Sequence, residues 1–246
     1  MRVVEATWEK RNLGLAVAEV TLDGDFASLT DEIDAVRARH DYVLVRVPAR
    51  RVSELHQLED LGFRFIEAQF ELVADLVRPK ACDEAIEAMT AHTRFATVSE
   101  AADVESVLEK IDEDTFDHDR VALDPLLGPK LSLQRVRNWI RDDFPKDGNV
   151  LAKLFDGPRE VGFFMLKRGE PGHYFSTLAG VFSPYRNSGI GLAAIRMPLI
   201  WAQQHGAKRV TTRNSSNNIE SFRAHLAAGY EIRGISYLLR HAATNG

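Results

Sequence analysis

One arrangement occurs twice in this sequence: a strand, a helix that ends at a glycine and an aromatic residue, and a second strand. The first copy has Gly62-Phe63 at the junction, and the second has Gly229-Tyr230. The junctions lie 229 − 62 = 167 residues apart, and at that offset the strands on either side align without a gap. Strands that alternate with helices predict a mixed α/β (α+β) fold. The copies are either two related domains or two ordinary strand–helix–strand units that look alike when aligned by their glycines.

The segment ADLVRPKACD (74–83) lies between the copies, has no hydrophobic periodicity and contains Pro79. Such a stretch predicts a linker. We therefore expect a partial first domain over residues 1–80 and a second domain over residues 84–246. Apolar spacing in the second domain predicts helices over 99–116, 131–144 and 189–206.

Composition limits the classes of function. The formal net charge of −5 argues against non-specific binding to nucleic acid, which needs a basic surface. The single cysteine, Cys82, excludes an intramolecular disulfide and a zinc site made of four cysteines. The amino terminus has no signal-peptide core, and no apolar run reaches membrane-spanning length. We expect a cytoplasmic protein that uses no metal and binds neither nucleic acid nor membrane.

The segment SPYRNSGIG (183–191) lies between a strand-like run and an amphipathic run. A strand, a glycine turn and a helix in this order direct main-chain N–H groups to one point, where the helix dipole also favours an anion. The two glycines would let the main chain approach a diphosphate closely. The candidate binding residues are Arg186, Asn187, Ser188, Gly189, Ile190 and Gly191. The fingerprints of dinucleotide-binding folds and of P-loops are both absent.

From TLAGVFSPYRNSGIG to HLAAGY, the sequence resembles the acetyl-CoA half of the GNAT N-acetyltransferases, and the resemblance extends over roughly residues 90 to 241. The pyrophosphate loop of that family, Arg/Gln-x-x-Gly-x-Gly/Ala, is matched by Arg186, Gly189 and Gly191. A later Asn-x-x-Ala/Ser helix that ends in Gly-Phe/Tyr is matched by Asn218, Ser221, Gly229 and Tyr230.

The resemblance implies a GNAT fold, with a central, mostly antiparallel sheet in which two strands splay apart between flanking helices. It also implies a partial GNAT-like domain before the catalytic one, and acetyl-CoA as cosubstrate. Main-chain groups of the strand before the turn, at Gly180, Val181 and Phe182, would contact the pantetheine arm. Asn214 and Asn218 complete the predicted acetyl-CoA contacts.

Shorter matches resemble the sugar-nucleotide acetyltransferases, and the layout is similar to that of the dTDP-fucosamine (dTDP-4-amino-4,6-dideoxygalactose) N-acetyltransferases. These matches are ATWEKRNLG, FDHDRVALDP, QRVRNWI and ISYLLR. They imply a dTDP- or UDP-linked amino sugar as acceptor. His118, Asp119, Arg120 and Asp124 would then recognise a sugar hydroxyl or the diphosphate, or else form a solvated loop. Because such folds often pair through edge strands, a homodimer is also possible.

The chemistry implied by the resemblance is direct attack of a neutral amine on the thioester, through a tetrahedral intermediate. The Val181 N–H is a candidate donor to the oxyanion. Many family members carry a tyrosine acid seven residues after the position of Asn218, and here that residue is His225. Either an imidazolium at His225 protonates the leaving thiolate, or water supplies the proton. Candidates for the base are His118, Asp119, Glu160 and His173, although a water chain could also serve.

Three functions are therefore open. The first is an N-acetyltransferase that acts on a nucleotide-linked amino sugar. The second keeps this chemistry but uses another amine, of a small molecule or a protein amino terminus. The third is a non-catalytic acyl-CoA sensor, which the histidine at the tyrosine position favours.

Overall fold

The computed structural model describes residues 1–25, 28–144 and 146–243. Its strands are β1 (Arg2–Glu5), β2 (Val17–Thr21), β3 (Tyr42–Pro48), β4 (Arg64–Asp75), β5 (Thr93–Thr97), β6 (Val150–Asp156), β7 (Arg159–Arg168), β8 (His173–Val181), β9 (Arg209–Ser215) and β10 (Glu231–Ala242). Its α-helices are α1 (Glu9–Leu13), α2 (Leu29–Arg37), α3 (Val52–Asp60), α4 (Glu84–His92), α5 (Ala101–Lys110), α6 (Arg120–Leu123), α7 (Pro129–Asp143), α8 (Ile190–Gln204) and α9 (Ile219–Ala227). Short 3₁₀ helices lie at Glu113–Phe116 and Ser183–Tyr185.

The strands of the described ranges form one sheet, in the order β1-β2-β3-β10-β4-β9-β8-β7-β6-β5. Two neighbouring pairs, β2–β3 and β8–β9, are parallel. The other pairs are antiparallel. The predicted fold class, a mixed and mostly antiparallel sheet with flanking helices, is confirmed.

The last strands of the two repeat copies are exchanged within this sheet. Strand β4 belongs to the first copy but pairs with β9 of the second, and β10 of the second copy pairs with β3 of the first. The registers are equivalent: Pro48 faces Ser236, and Ser215 faces Gln69, with the same 167-residue offset between the corresponding partners. Gln69 and Ser236 also face each other in the β4–β10 pair. A local twofold axis therefore passes through this pair.

The continuous sheet leaves the domain division as a prediction. The proposed boundary at residues 80–84 falls between β4 and α4, but strands from both sides of it alternate in the centre of the sheet. The predicted linker also begins too early, because β4 extends to Asp75.

Helices cover both faces of the sheet. Alternation of side chains along the strands places α2, α3, α4, α8 and α9 on one side, which we call the α8 face; Phe164, Ile195 and Trp201 are buried there. The other side, the α7 face, carries α1, α5, α6 and α7, with Val107 and Ile140 in its core.

Two of the three predicted helices are observed nearly as expected, as α7 and α8. The predicted helix over 99–116 is shorter, because α5 ends at Lys110 and a separate 3₁₀ turn follows. The Asp112 side chain accepts the Thr115 N–H at 3.0 Å and so caps this new turn. Helix α4 and strand β5 were not predicted.

Candidate functional site

A gap opens between the parallel strands β8 and β9. The two strands pair only from His173–Arg209 to Phe175–Thr211, although β8 continues to Val181 and β9 to Ser215. Beyond Phe175 the edges of both strands face each other without a ladder. Main-chain groups along this gap are therefore available to a bound molecule.

Hydrogen bonding to β7 determines which main-chain groups of β8 face the gap. The Phe182 N–H donates to Val161 O at 2.9 Å, and residues of an antiparallel pair alternate between facing the partner strand and facing away. The N–H groups of Val181 and Ala179 therefore face the gap, whereas Gly180 faces β7. Of the three predicted pantetheine contacts, Val181 is the one whose main chain is oriented toward the gap, and Ala179 was missed by the sequence reasoning.

Two glycines allow β7 and β8 to lie close together at this point. A Cβ at Gly162 of β7 would overlap the carbonyl oxygen of Gly180. A Cβ at Gly180 would lie 3.0 Å from the ring of Phe163 and 3.1 Å from Thr115. Close packing on the α7 face therefore requires a glycine at position 180, and contact of Gly180 with acetyl-CoA stays a prediction.

The turn after β8 leads into α8 at the mouth of the gap. Asn187 has φ 61° and Gly189, the N-cap of α8, has φ 86°, both in the left-handed region. No side chain caps α8, and its first turn contains no acidic residue. Because the first N–H groups of a helix have no intrahelical acceptor, this terminus can bind an anion.

The remaining residues of the turn fit this geometry. No atom lies within 4 Å of the position of a Cβ at Gly191, so space is open above it, and Ile190 is buried beneath. The Ser188 hydroxyl lies 3.4 Å from the Ile190 N–H. Arg186 is partly exposed, so its guanidinium can reach solvent or a ligand.

Asp112 anchors the turn from the neighbouring loop and was not predicted. It accepts hydrogen bonds from Ser183 Oγ and from Thr115 Oγ1, the latter at 2.7 Å. Partial burial alone would raise the pKa of Asp112, but these hydrogen bonds and the charge of Arg186 lower it below its ordinary value. No motif marks this residue, because its partner Ser183 is distant in sequence.

Asn214 and Asn218 lie at the opposite side of the gap. Asn218 is the N-cap of α9, and its side chain accepts the Ser221 N–H at 3.0 Å. Asn214 is buried at the end of β9, and its side-chain amide lies 3.4 Å from Asn218 O. Both asparagines fix the entry into α9, and their contact with acetyl-CoA stays a prediction.

His225 is neutral in this structure. Burial lowers its pKa to about 4, although the hydrogen bond to Ser221 O opposes this shift. Because a carbonyl only accepts, Nδ1, at 2.7 Å from Ser221 O, carries the ring proton. The ring also packs edge-on against Tyr230 at 5.0 Å. A neutral ring whose proton is bonded to Ser221 O favours the alternative in which water protonates the leaving thiolate, and a catalytic role of His225 stays a prediction.

Three of the four loop residues predicted to bind the acceptor contact other protein groups. Asp124 is buried and accepts hydrogen bonds from Tyr42 OH at 2.7 Å, Arg240 Nε at 3.2 Å and the Leu126 N–H at 3.0 Å. Burial and the Asp124 carboxylate raise the pKa of Tyr42. A carboxylate without exposed surface and with three donors has no place for a sugar hydroxyl. Asp124 joins the loop to β3 and β10, and the structure gives no support to its predicted role toward a substrate.

Arg120 and Asp119 are likewise engaged by protein groups. Arg120 donates to Glu19 of β2 at 3.0 Å. Asp119 caps α6 through the Val121 N–H at 3.1 Å and accepts from Ser132 Oγ at 3.0 Å. These contacts give both residues a role within the protein, and recognition of a ligand by this loop stays a prediction.

The other predicted bases differ in environment. His118 is exposed, 3.5 Å from Asp117, and its role stays a prediction. Glu160 Oε2 pairs with Lys110 at 2.7 Å, whereas its buried Oε1 has no hydrogen-bond partner among the described residues, and its role as a base stays a prediction.

His173 is buried at the closed end of the gap. Its Nε2 lies 2.9 Å from Thr211 Oγ1 and its Nδ1 lies 3.4 Å from Arg209 Nη2. Because a guanidinium only donates, Nδ1 is the acceptor and Nε2 carries the proton. Burial and the charge of Arg209 lower the pKa of His173. Both nitrogens are occupied, so His173 is poorly placed as a base and well placed to orient its neighbours.

Solved structures resemble this chain over most of its length. A GCN5-related N-acetyltransferase from Sphaerobacter thermophilus superposes with a TM-score of 0.58 at 19% identity, covering 82% of this chain and 59% of that one. One from Kribbella flavida gives 0.57 at 13% identity, covering 94% and 82%. A tandem GNAT protein from the clavulanic acid biosynthesis pathway gives 0.54 at 13% identity, covering 88% and 69%.

Proteins related in sequence match a smaller part of this chain. Mycothiol acetyltransferase of Corynebacterium glutamicum strain R is 31% identical over 98 residues, which are 40% of this chain and 33% of that protein. The chain thus covers about a third of the length of the curated relatives it matches. No family model matches the sequence.

Two further findings concern the described residues alone. They contain no helix that is both long and apolar enough to span a membrane. They also contain no group of three or more His, Cys, Asp or Glu side chains arranged to hold a metal ion. The parallel strands that diverge beside the amino terminus of α8, together with these superpositions, show that the chain has the fold of the GCN5-related N-acetyltransferases.

Proposed function

We propose that this protein is an acetyl-CoA-dependent N-acetyltransferase whose catalytic site lies in the gap between β8 and β9. The observation that carries the proposal is the position of α8, whose uncapped amino terminus stands at the mouth of a gap lined by free main-chain groups. The diphosphate of CoA fits the helix terminus. The amide-containing pantetheine arm fits a strand edge that lacks a partner.

The residues of the gap support direct transfer. The amine nitrogen forms a bond to the thioester carbon, the C–S bond breaks, and its electron pair leaves with sulfur. A main-chain N–H on the open edge of β8 would donate to the oxyanion that develops at the carbonyl oxygen. The proton lost by nitrogen is carried to sulfur by water, because the imidazole of His225 is neutral at pH 7 and its Nδ1–H donates to Ser221 O.

For the acceptor we propose a primary amine of a nucleotide-linked amino sugar, on the basis of the sequence resemblance. A second candidate is the acceptor of mycothiol acetyltransferase, which the 31% identity over 98 residues supports. A non-catalytic acyl-CoA sensor is the third, and the neutral His225 favours it. A homodimer and a cytoplasmic location remain predictions.

Calorimetry and a thiol-release assay test the proposal. The purified chain should bind acetyl-CoA, and free CoA thiol should appear with one acceptor of a panel of dTDP- and UDP-amino sugars, the acceptor of mycothiol acetyltransferase and a peptide with a free amino terminus. Binding without turnover would identify a sensor. If folded protein takes up no acetyl-CoA, the proposal is wrong.

A further inference from the structure

The closed end of the gap defines where the reacting group of a bound acetyl-CoA would lie. From Val181 back to Phe175 the open edge of β8 extends over about 20 Å, at roughly 3.3 Å per residue. An extended pantetheine arm that starts at α8 has a similar length. Its thioester would therefore reach the point where β8 and β9 rejoin.

A cavity of about 420 Å³ lies at that point, on the α7 face of the sheet. Tyr174 and Val210 pack into the core on the α8 face. Because side chains alternate along a strand, His173, Phe175 and Thr211 line the opposite side, where the cavity lies. The Phe175 ring is 41% exposed, although it sits in the middle of the sheet. An acceptor in this cavity would meet the thioester from the side opposite α8.

Charges of both signs face the cavity. Arg209 lies 3.5 Å from Glu170, and Arg233 lies 3.8 Å from Glu71. All four side chains line the cavity and are at least 43% exposed. Charge-assisted hydrogen bonds are normally 2.7–2.9 Å long, so these long pairs leave donors and acceptors free for a ligand.

His173 contacts one of these groups. Its Nδ1 accepts from Arg209 at 3.4 Å, while its Nε2–H donates to Thr211 at 2.9 Å. The imidazole therefore lies against the guanidinium of Arg209 at the cavity wall. Because His173 is buried and Arg209 is half exposed, the guanidinium remains accessible to a ligand in the cavity.

We propose that this cavity is the acceptor site and that it selects an amine which also carries an anionic group, either a carboxylate or a phosphate. Arg209 and Arg233 bind the anion, and Glu71 attracts the ammonium form of the amine before it loses its proton. Glu71 comes from β4, so the first half of the chain completes the site. This inference rests on the proposed acetyltransferase function.

Two pairs of amines that differ in the anion test the inference: glucosamine 6-phosphate against glucosamine, and L-serine against L-serinamide. In each pair the ratio of kcat/KM should favour the anionic member. Arg209→Gln and Arg233→Gln should each lower that ratio by about 10- to 100-fold, the usual loss for a hydrogen bond to a charged group. A preference for glucosamine 6-phosphate over glucosamine would indicate that the site binds a phosphate, and a preference for L-serine over L-serinamide would indicate a carboxylate. The matched control is Arg159→Gln, because Arg159 is an exposed arginine at the first position of β7.

If none of the four amines is turned over, glucosamine 6-phosphate and L-serine are titrated into CoA-saturated protein. Binding that Arg209→Gln weakens and Arg159→Gln leaves unchanged supports the inference. No binding of either probe, equal effects of both variants, or a preference for the uncharged member of each pair overturns it. Acetyl-CoA binding, measured separately, shows whether the proposed function fails as well.

Discussion

The chain contains two strand–helix–strand units of the same topology, and they differ in whether the parallel strands separate. In the first, α2 connects β2 to β3, and in the second, α8 connects β8 to β9. Strands β2 and β3 pair along Val17–Thr21, and the next residue, Leu22, still donates to Arg46 O at 3.0 Å. In the second unit the pairing ends at Phe175–Thr211, although β8 continues to Val181. The first pair is closed and the second is open.

The amino termini of α2 and α8 also differ in whether they are available to a ligand. Helix α2 begins at Ser28, whose hydroxyl accepts the Asp31 N–H at 3.3 Å, and its first turn carries two acidic residues. Helix α8 begins at Gly189 with neither a side-chain cap nor an acid. The α2 terminus is thus satisfied and repels anions. Topology alone does not make a CoA site, since an open edge and a free helix terminus are both required.

The contacts that hold the two halves together should have the largest effect when broken. Asp124→Ala leaves Arg240 and Tyr42 unpaired in a buried position, and removal of one partner of a buried ion pair costs about 3–5 kcal/mol. Urea unfolding measures this loss. Tyr42→Phe, which removes one hydrogen bond, should cost only about 1 kcal/mol. Equal small effects of both variants would show that Asp124 is not a central contact.

Matched glycines test the difference between the two units directly. Gly189→Val should weaken acetyl-CoA binding by at least about 100-fold, because φ 86° disfavours a β-branched residue and the side chain would narrow the binding turn. Gly24→Val, at φ 91° in the corresponding turn before α2, should leave the Kd unchanged. Calorimetry should also give one acetyl-CoA per chain, because the β8–β9 pair is open and the β2–β3 pair is closed. A stoichiometry of two would contradict this difference between the two units.

His225 corresponds to Leu58 at the 167-residue offset, and both side chains are directed to packed surroundings. The folded-state pKa of about 4 lies below the unfolded value of about 6.5. As the pH falls through this window, the unfolded chain binds the proton first, so stability is complete above pH 6.5 and decreases toward pH 4. His225→Leu should remove this decrease, which is on the order of 3 kcal/mol for a pKa lowered from about 6.5 to about 4. Identical pH profiles of both proteins would contradict the buried neutral imidazole.

The smallest expected effect concerns the helix caps. Ser28→Ala should destabilise the protein by about 1 kcal/mol, because the α2 cap is lost. Ser188→Ala, beside the uncapped α8, should have less effect on thermal unfolding. A larger loss from Ser188→Ala would mean that α8 does depend on a side-chain cap.

Local patterns predicted the elements of the second half well. The glycine turn, α8 and the β9–α9–β10 unit all follow from short-range spacing around Gly189 and Gly229. The contacts of Asp124 could not be predicted, because it lies in a polar loop segment and its partners Tyr42 and Arg240 are 82 and 116 residues away. The protonation of His225 could not be predicted either, since it depends on burial against Tyr230. The divergence of β8 from β9 and the cavity below it are likewise products of long-range pairing.

The exchange of β4 and β10 has a consequence for how the chain can be divided. A piece ending after β4 would lack the neighbour that β10 gives to β3, and a piece starting at α4 would lack the neighbour that β4 gives to β9. Each piece alone would expose unpaired strand edges, which promote aggregation. We expect the two pieces to be insoluble when produced separately and to reassemble into active protein when coexpressed, so that a protease nick in residues 76–83 would be tolerated.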